Sequence, residues 1–461
     1  MKMIYNVKDK PKGGQLIVFA FQQLLAIMAA TIAVPMIVGN GMTTSAALFG
    51  AGVGTLVYVL FTKAKSPVFL GSSFAFLDSM AAAFAGGVSM GLGFLGLIIG
   101  AILAGLVYVV IALVVKKVGV NWINKIMPAV VIGPTVAIIG LSLAGNAVGD
   151  LQNPVIDGGS PYVAIICGLV TLAVVMLCSV YGKKMSKLIP FIIGILAGYA
   201  VASIFSIIGS ISGNDAFRVI DYSALVDNFK CISFTSFIDL PDFTFVKAFG
   251  AFGELSGSYI GTIAVAYIPV AFVVFAEHIA DHKNLSSIIE QDLLDDPGLS
   301  RTLLGDGVGS MAGAFFGGCP NTTYGESIGC VAITKNASVR TIIVTAIEAI
   351  CISFITPFVA FLSTIPKCVM GGVCIALYGF IAVSGLKMLQ KVNLDDNRNL
   401  FTASVILIAG VGGLVVKFGE VTITKIACAL ILGILTNVML SKGKPAEAEA
   451  PAAGKGKKNK K

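Results

Sequence analysis

Apolar residues fill this chain in long runs, and its polar residues gather in short clusters between them. Runs at 16–38, 92–115, 161–180 and 342–362 approach or exceed the roughly 20 residues a helix needs to cross a bilayer. A walk along the hydropathy yields fourteen candidate spans. They lie near 16–38, 45–62, 67–80, 91–115, 126–145, 161–181, 188–210, 257–280, 302–318, 320–334, 341–362, 368–386, 400–416 and 422–441. The third and tenth are too short to cross as ordinary helices. Composition agrees: 56% of residues are hydrophobic and 12% charged, with a mean hydropathy of +0.93. A soluble domain carries about 25% charged residues. The pattern predicts an all-α polytopic membrane protein.

Charge orients the spans. With the N-terminus inside, the cytoplasmic segments in order hold 4, 2, 3, 3, 2, 2, 3 and 7 Lys/Arg, or 26 of 32, which leaves 6 outside. Leaving out the seven in the tail still gives 19 against 6, and positive residues favour the cytoplasmic side. The long segment 211–256 is acidic (Asp215, Asp221, Asp227, Asp239, Asp242) and falls outside. Both termini are therefore expected in the cytoplasm, with the protein in the plasma (inner) membrane. The net charge of +8 comes largely from the ends and short loops, so it needs no nucleic-acid partner. Residues 442–461 form a low-complexity basic tail, expected to be disordered and able to meet anionic lipid.

No cleavable signal peptide is evident, because the first apolar span is too long and lacks a small-residue cleavage pattern. The nine cysteines are scattered without a CxxC pair and read as small core residues.

An internal repeat sharpens the topology. "PAVVIG" (128–133) opens the fifth candidate span and "PKCVMG" (366–371) the twelfth. Seven spans separate them, and seven is odd, so the copies have opposite orientation. The short third and tenth spans are also seven apart. Short, Gly/Pro-interrupted segments at corresponding places of inverted halves point to a transporter's central site.

Ionisable residues inside spans are functional candidates by default. Glu277 lies near the end of the eighth span, Glu326 in the tenth, Asp78 at the end of the third and Glu348 in the eleventh; Gln22 and Gln23 are polar within the first. In "CPNTTYGESIG" (319–329), Pro320 and Gly325 oppose a continuous helix while "NTTY" favours extended backbone. Non-helical backbone at membrane depth is tolerated where it is buried in protein or lines a wet cavity. Glu326 would then open a half-helix, where the dipole favours a carboxylate. The third span offers "FLGSSFAFL", with Phe74 and Phe76 as stacking faces. Together these make a site for a small, flat, amide-bearing molecule.

Plainer roles stand beside these. "PNTTYGES" also reads as a surface loop, and Phe74 and Phe76 as core or lipid-facing residues. Glu348 fits an inter-helix hydrogen bond, and Asp78 a helix end in water. His278 and His282 share a helix face like a metal pair, but they are the only histidines and no HExxH occurs, so no metal site is expected. Asp295, Asp296 and Arg301 read as a solvated loop.

The motifs "FQQLLAIMAATIAVPMIVG", "GSSFAFL", "VVFAEHIADHKNLSSII", "QDLLDDPGLSRTLLGDGVGS", "PNTTYGESIGCVAITK" and "IPKCVMGGVCIALYGFIAVSGLKML" resemble the nucleobase–ascorbate transporter family, a group of nucleobase:cation symporters, and within it the uracil-transporting bacterial members. The match runs from about residue 14 to 441. The resemblance implies fourteen spans in two inverted sevens, with short strands in spans 3 and 10. It implies a cytoplasmic N-terminus at 1–13, a core domain at 14–118 and 257–363, a gate domain at 119–256 and 364–441, and dimers formed through the gate. It implies no enzymatic activity and no cofactor, with the proton rather than sodium as coupling ion. Residue by residue, Glu277 matches the glutamate that binds the pyrimidine ring and Glu326 the tenth-span glutamate. Tyr324 and Gly325 match backbone contacts, and Phe74 the aromatic that packs on the ring. Ser73 beside Phe74, and Gln22 in the first span, join the substrate-binding set.

Two departures bear on coupling. Many relatives have Gln-His where this chain has Gln22-Gln23, and Gln23 cannot titrate. A uracil-transporting relative has a histidine four residues after the eighth-span glutamate, where this chain has Asp281. His282 follows on a different helix face. The proton-coupling candidates are thus Glu277, Asp281, His278 and Gln23. The resulting expectation is a proton-coupled uracil importer working by alternating access. A purine permease for xanthine or uric acid is the rival, though purine members typically carry Gln-Asn where this chain reads Gly325-Glu326-Ser327. An anion transporter of the same fold is a further alternative, disfavoured by two central carboxylates.

Overall fold

A computed structural model describes residues 3–119, 128–154, 156, 158–183, 185–390, 392–418 and 421–440. The expected disordered tail at 442–461 lies outside the described residues, as do positions 126–127 and 441 at the edges of two candidate spans. Among the described residues, eight helical stretches are long and apolar enough to cross a membrane. These are α1 (Gly13–Val38), α2 (Thr44–Phe61), α4 (Met90–Val118), the pair α5 (Ala129–Ser142) and α6 (Ala144–Leu151), α7 (Pro161–Tyr181), α8 (Pro190–Ser212), α9 (Gly257–Ile289) and α14 (Lys367–Leu389). Their ends follow local chemistry. Ser89 and Ser256 cap α4 and α9 by accepting from Leu92 N and Tyr259 N, both at 3.1 Å. Gly119, at φ +83°, stops α4, because a left-handed residue without Cβ ends a helix at little steric cost.

The third and tenth candidate spans are broken. The third becomes strand β1 (Leu70–Ser72), a 3-10 turn at Phe74–Phe76 and the short helix α3 (Leu77–Ala83). The tenth follows α10 (Leu299–Gly317) as strand β2 (Asn321–Thr323) and the half-helix α11 (Gly325–Thr334). The strands pair antiparallel, with Leu70 opposite Thr323, Gly71 opposite Thr322 and Ser72 opposite Asn321. Flanking bonds extend the crossing: Ser73 N donates to Pro320 O (2.9 Å) and Tyr324 N to Phe69 O (3.3 Å).

Other boundaries differ from the hydropathy reading. The eleventh candidate span is two helices, α12 (Val339–Ser353) and α13 (Thr356–Ser363). Pro357 sits in the first turn of α13, where its missing N–H and its ring disfavour helix through the preceding residues. The thirteenth ends early: after α15 (Asn397–Val411), strand β3 (Val416–Phe418) turns back onto β4 (Val421–Ile423), and α16 (Lys425–Leu440) follows.

Packing sorts the helices into two sets. In one, α10 lies against α2 and α4, α12 against α1 and α2, and α9 against α4. In the other, α14 lies against α5, α6 and α7, α8 against α7, and α15 against α5 and α16. Small residues let the first set close. A Cβ on Gly50 would meet Gly313 O and Gly317 N, and one on Gly54 would meet Gly309 O and the Asn321 side chain. Helices in lipid gain no hydrophobic drive to associate, so such close backbone approach supplies packing instead. Asn321 uses the gap: its Nδ2 donates to Gly50 O at 3.1 Å and pins β2 between α2 and α10.

Gly313→Ala is expected to push a Cβ into the Asn321 side chain. Overpacking of this kind costs about 1–3 kcal/mol. The check is a lower melting temperature in detergent, with the loss exceeding that of Gly329→Ala, where a Cβ meets nothing within 4 Å.

Candidate functional site

The β1–β2 crossing forms the floor of a cleft between the two helix sets. An inner chamber of about 50 Å³ is lined by Ser73, Phe74 and Ala75, by Thr322 to Glu326, and by Glu277, Ile139 and Ile381. It opens into an outer chamber of about 350 Å³, lined among others by Glu277, Asp281, Gly325, Glu326, Lys187, Ile333 and Met388. A separate cavity of about 390 Å³ lies at the other end of α14, near Thr43, Asp150, Leu362 and Lys367. The outer chamber and this cavity thus lie toward opposite ends of α14.

Local structure aims each polar group. Glu277 and Asp281 are one turn apart on α9, so both side chains face the same cleft. Glu326 occupies the first turn of α11, where free backbone N–H groups favour an anion. Thr323, the last residue of β2, donates from Oγ1 to Asp281 Oδ2 at 2.7 Å. Tyr324 turns away: its hydroxyl donates to Ser72 O at 2.8 Å. Its ring lies over Gly71, where a Cβ would collide with it, so its contribution to the chamber is backbone and ring edge. Ser73 Oγ and Thr322 Oγ1 are buried without a hydrogen-bond partner among the described residues. A buried hydroxyl without a partner is unfavourable, so these two are available to a polar guest. Phe74 lines the chamber and packs edge-on against Tyr378 of α14, with centroids 5.8 Å apart at 78°.

Glu277, Glu326, Gly325, Tyr324, Phe74 and Ser73 are therefore brought together. Asp281 joins them at the outer chamber. Gln22 is half-buried and lines neither chamber. Gln23 is buried, and its Nε2 donates to Ser327 Oγ at 2.5 Å. Ser327 Oγ also accepts from Phe69 N at 3.0 Å. Gln23 thus steadies the start of α11 from behind Glu326 and lies outside both chambers.

Several residues sit away from the roles their positions suggested. Phe76 stacks on Tyr267 (5.5 Å, 27°) instead of lining the chamber. His278 is fully buried, with Nδ1 2.6 Å from Asp306 Oδ2 and Nε2 3.0 Å from Thr302 Oγ1. His282 donates from Nδ1 to the His278 carbonyl (2.8 Å), so its other nitrogen, 2.7 Å from Tyr58 OH, accepts when the ring is neutral. Both histidines are spent on packing the helix set and line neither chamber. The inter-helix bond expected of Glu348 is not made by Oε2, which has no hydrogen-bond partner among the described residues. Asp78, in the first turn of α3, lies 3.4 Å from Lys425 Nζ at the start of α16.

Sequence reasoning missed Thr322, Thr323, Asn321 and Ser327 as individual contributors, although all lie in the polar stretch 319–329. It missed Ile139 and Ile381 as well. Apolar residues inside apolar spans carry no local signal.

Known proteins place this architecture. The sequence model of a permease family, Xan_ur_permease, matches residues 14–418. The uracil permease of Bacillus caldolyticus is 40% identical over 452 residues, covering 97% of each chain. That of Bacillus subtilis (strain 168) is 37% identical over 456 residues, covering 97% of this chain and 98% of its own. That of Escherichia coli (strain K12) is 35% identical over 432 residues, covering 93% and 92%. In fold, the chain is similar to the transmembrane domain of a cyanobacterium bicarbonate transporter, BicA, with a TM-score of 0.60 at 13% identity over 94% of this chain and 99% of that one. It is also similar to SLC26A9, with a TM-score of 0.62 at 10% identity over 92% and 64%. With a family match over most of its length, broken spans that meet in mid-chain and a polar chamber between two helix sets, the chain belongs to this permease family and is an integral membrane transporter.

Proposed function

We propose that this permease imports the nucleobase uracil together with protons. The observation that carries the reading is the inner chamber, where two carboxylates, two hydroxyls without partners and the Phe74 ring surround a narrow slot. A pyrimidinedione is flat, with ring N–H donors and carbonyl acceptors. Glu277 and Glu326 accept from the N–H groups, while hydroxyl and backbone donors of the β1–β2 crossing serve the carbonyls. Phe74 packs on the ring. The relatives named uracil permease support this substrate, and the narrowness of the chamber favours one ring over two.

The topology proposed with it has fourteen spans in two inverted sevens and both termini in the cytoplasm. The helix set holding α1–α4 and α9–α13 is the core, and the set holding α5–α8 and α14–α16 is the gate. In that orientation the outer chamber, with Lys187 and Met388 at its mouth, faces the cytoplasm. The cavity at the other end of α14 faces outside. Shifting core against gate would open one and close the other, which is alternating access about a fixed site. The proton resides on Glu277 or Asp281, which alone among the expected coupling residues face the cleft and can titrate. A proton gained outside lowers the charge of the pair by one for substrate binding, and its loss inside favours release.

Uptake of radiolabelled uracil into proteoliposomes tests both halves. With an inward proton gradient, uptake by the wild type is expected to collapse on adding a protonophore. Glu277→Gln is expected to lower uptake at least about tenfold, since a hydrogen bond to a charged group is worth about 1.5–3 kcal/mol. Wild-type uptake indifferent to the protonophore would remove proton coupling. Undiminished uptake in Glu277→Gln would remove that residue's role.

Asp281→Asn provides a separate check on coupling. It keeps an acceptor for Thr323 Oγ1 but cannot change charge. Uracil is expected still to stabilise the purified variant against heat, while its uptake loses dependence on the proton gradient. Gradient-driven uptake equal to wild type would exclude Asp281 as carrier and leave Glu277.

A further inference from the structure

The inner and outer chambers share four lining residues, Glu277, Gly325, Glu326 and Ile381. Two are the carboxylates and one is a glycine. Ile381 of α14 is the single apolar side chain at the junction. The inner chamber has one other lining residue from the opposing helix set, Ile139 of α5, which is only 2% exposed.

Both isoleucines ride on one tightly packed pair of helices. A Cβ on Gly385 of α14 would meet Ala137 N and Gly133 O of α5, and one on Gly140 would meet the Tyr378 carbonyl and Ala382 N. With backbones this close, the spacing of the two side chains is set by rigid contact. A β-branched side chain in a helix holds one preferred χ1 rotamer, so each isoleucine presents a fixed surface. Neither can hydrogen-bond, so what they discriminate is size and shape. The polar recognition groups all come from the opposite side, on β2, α9 and α11 and the turn after β1.

We infer that Ile139 and Ile381 are the specificity-determining side chains of this permease. They form the apolar wall that restricts the inner chamber to a single-ring base, and Ile381 is also the throat between the two chambers. The inference rests on the nucleobase reading above and deepens it. A fused second ring needs space that the two side chains fill, and a close-packed interior does not yield that space freely. Replacing either by alanine removes a methyl and an ethyl group from the wall and admits the larger base.

The test is thermal stabilisation of the purified full-length protein, titrated with uracil and with xanthine, since a ligand that binds the folded state stabilises it by mass action. The wild type is expected to prefer uracil. In Ile381→Ala and Ile139→Ala the preference for uracil over xanthine should fall about tenfold or more, the scale on which hydrophobic pockets discriminate a methylene. Ile333→Ala, which alters only the outer chamber, should leave the preference where it was. Ile381→Val gives a smaller shift in the same direction and serves if the alanine variant does not fold. A wild type that selects uracil, with an unchanged preference in the Ile139 and Ile381 variants, overturns the inference alone. A wild type that prefers xanthine, or responds to neither base, overturns the substrate reading and the inference with it.

Discussion

Backbone N–H and C=O groups at membrane depth must find partners within the protein, and the site of this permease is organised by that constraint. Two spans abandon the helix in mid-chain, each exposing a short length of polar backbone. Each is the other's partner: β1 and β2 pair over three residues, and Ser73 and Tyr324 extend the ladder on either side. An unpaired strand would be several kcal/mol unfavourable in hydrocarbon, so neither break is stable without the other. The crossing brings residues some 250 positions apart in sequence to one spot, and the half-helices α3 and α11 start from it. Phe74 and Glu326 reach the chamber because they follow directly after the two strands.

The crossing is held from behind by small and polar residues. Glycines on α2 and α10 allow backbone contact, and Asn321 fills the gap they leave. Thr55 exchanges hydrogen bonds with both the N–H and the carbonyl of Leu70. Gln23 and Phe69 N meet on Ser327. The carboxylates therefore stand on a floor with little freedom to adjust, which suits recognition of a rigid planar molecule. Asp281 belongs to this frame through Thr323, so an outer-chamber carboxylate is tied to the strand that lines the inner chamber.

Much of this was legible beforehand in the pattern of polar residues. The long apolar runs mark the spanning helices, and two short runs with Gly, Pro and hydroxyl residues mark the breaks. Carboxylates are rare enough inside spans that Glu277 and Glu326 stand out. Less legible was direction. Phe74 and Phe76 are two residues apart in one motif, yet one lines the chamber and the other stacks on Tyr267, because a 3-10 turn rotates them apart. His278 is as ionisable as Glu277 and adjacent to it, yet the helix points it at Asp306. The β3–β4 hairpin and the division of the eleventh span depend on turn and proline chemistry that hydropathy averages away.

By itself the sequence determined that the chain lives in a membrane, where its longest apolar helices lie, that the third and tenth candidate spans break and which carboxylates fall inside apolar stretches. Those properties depend on local composition: the transfer of apolar side chains into lipid and the inability of Pro- and Gly-interrupted polar runs to hold a helix. The tertiary structure decided which break pairs with which, which side of each helix faces the cleft and which aliphatic side chains close it. Those depend on contacts between distant segments. Ile139 and Ile381 are indistinguishable in sequence from dozens of other apolar span residues, and only packing sets them opposite Glu277 and Glu326.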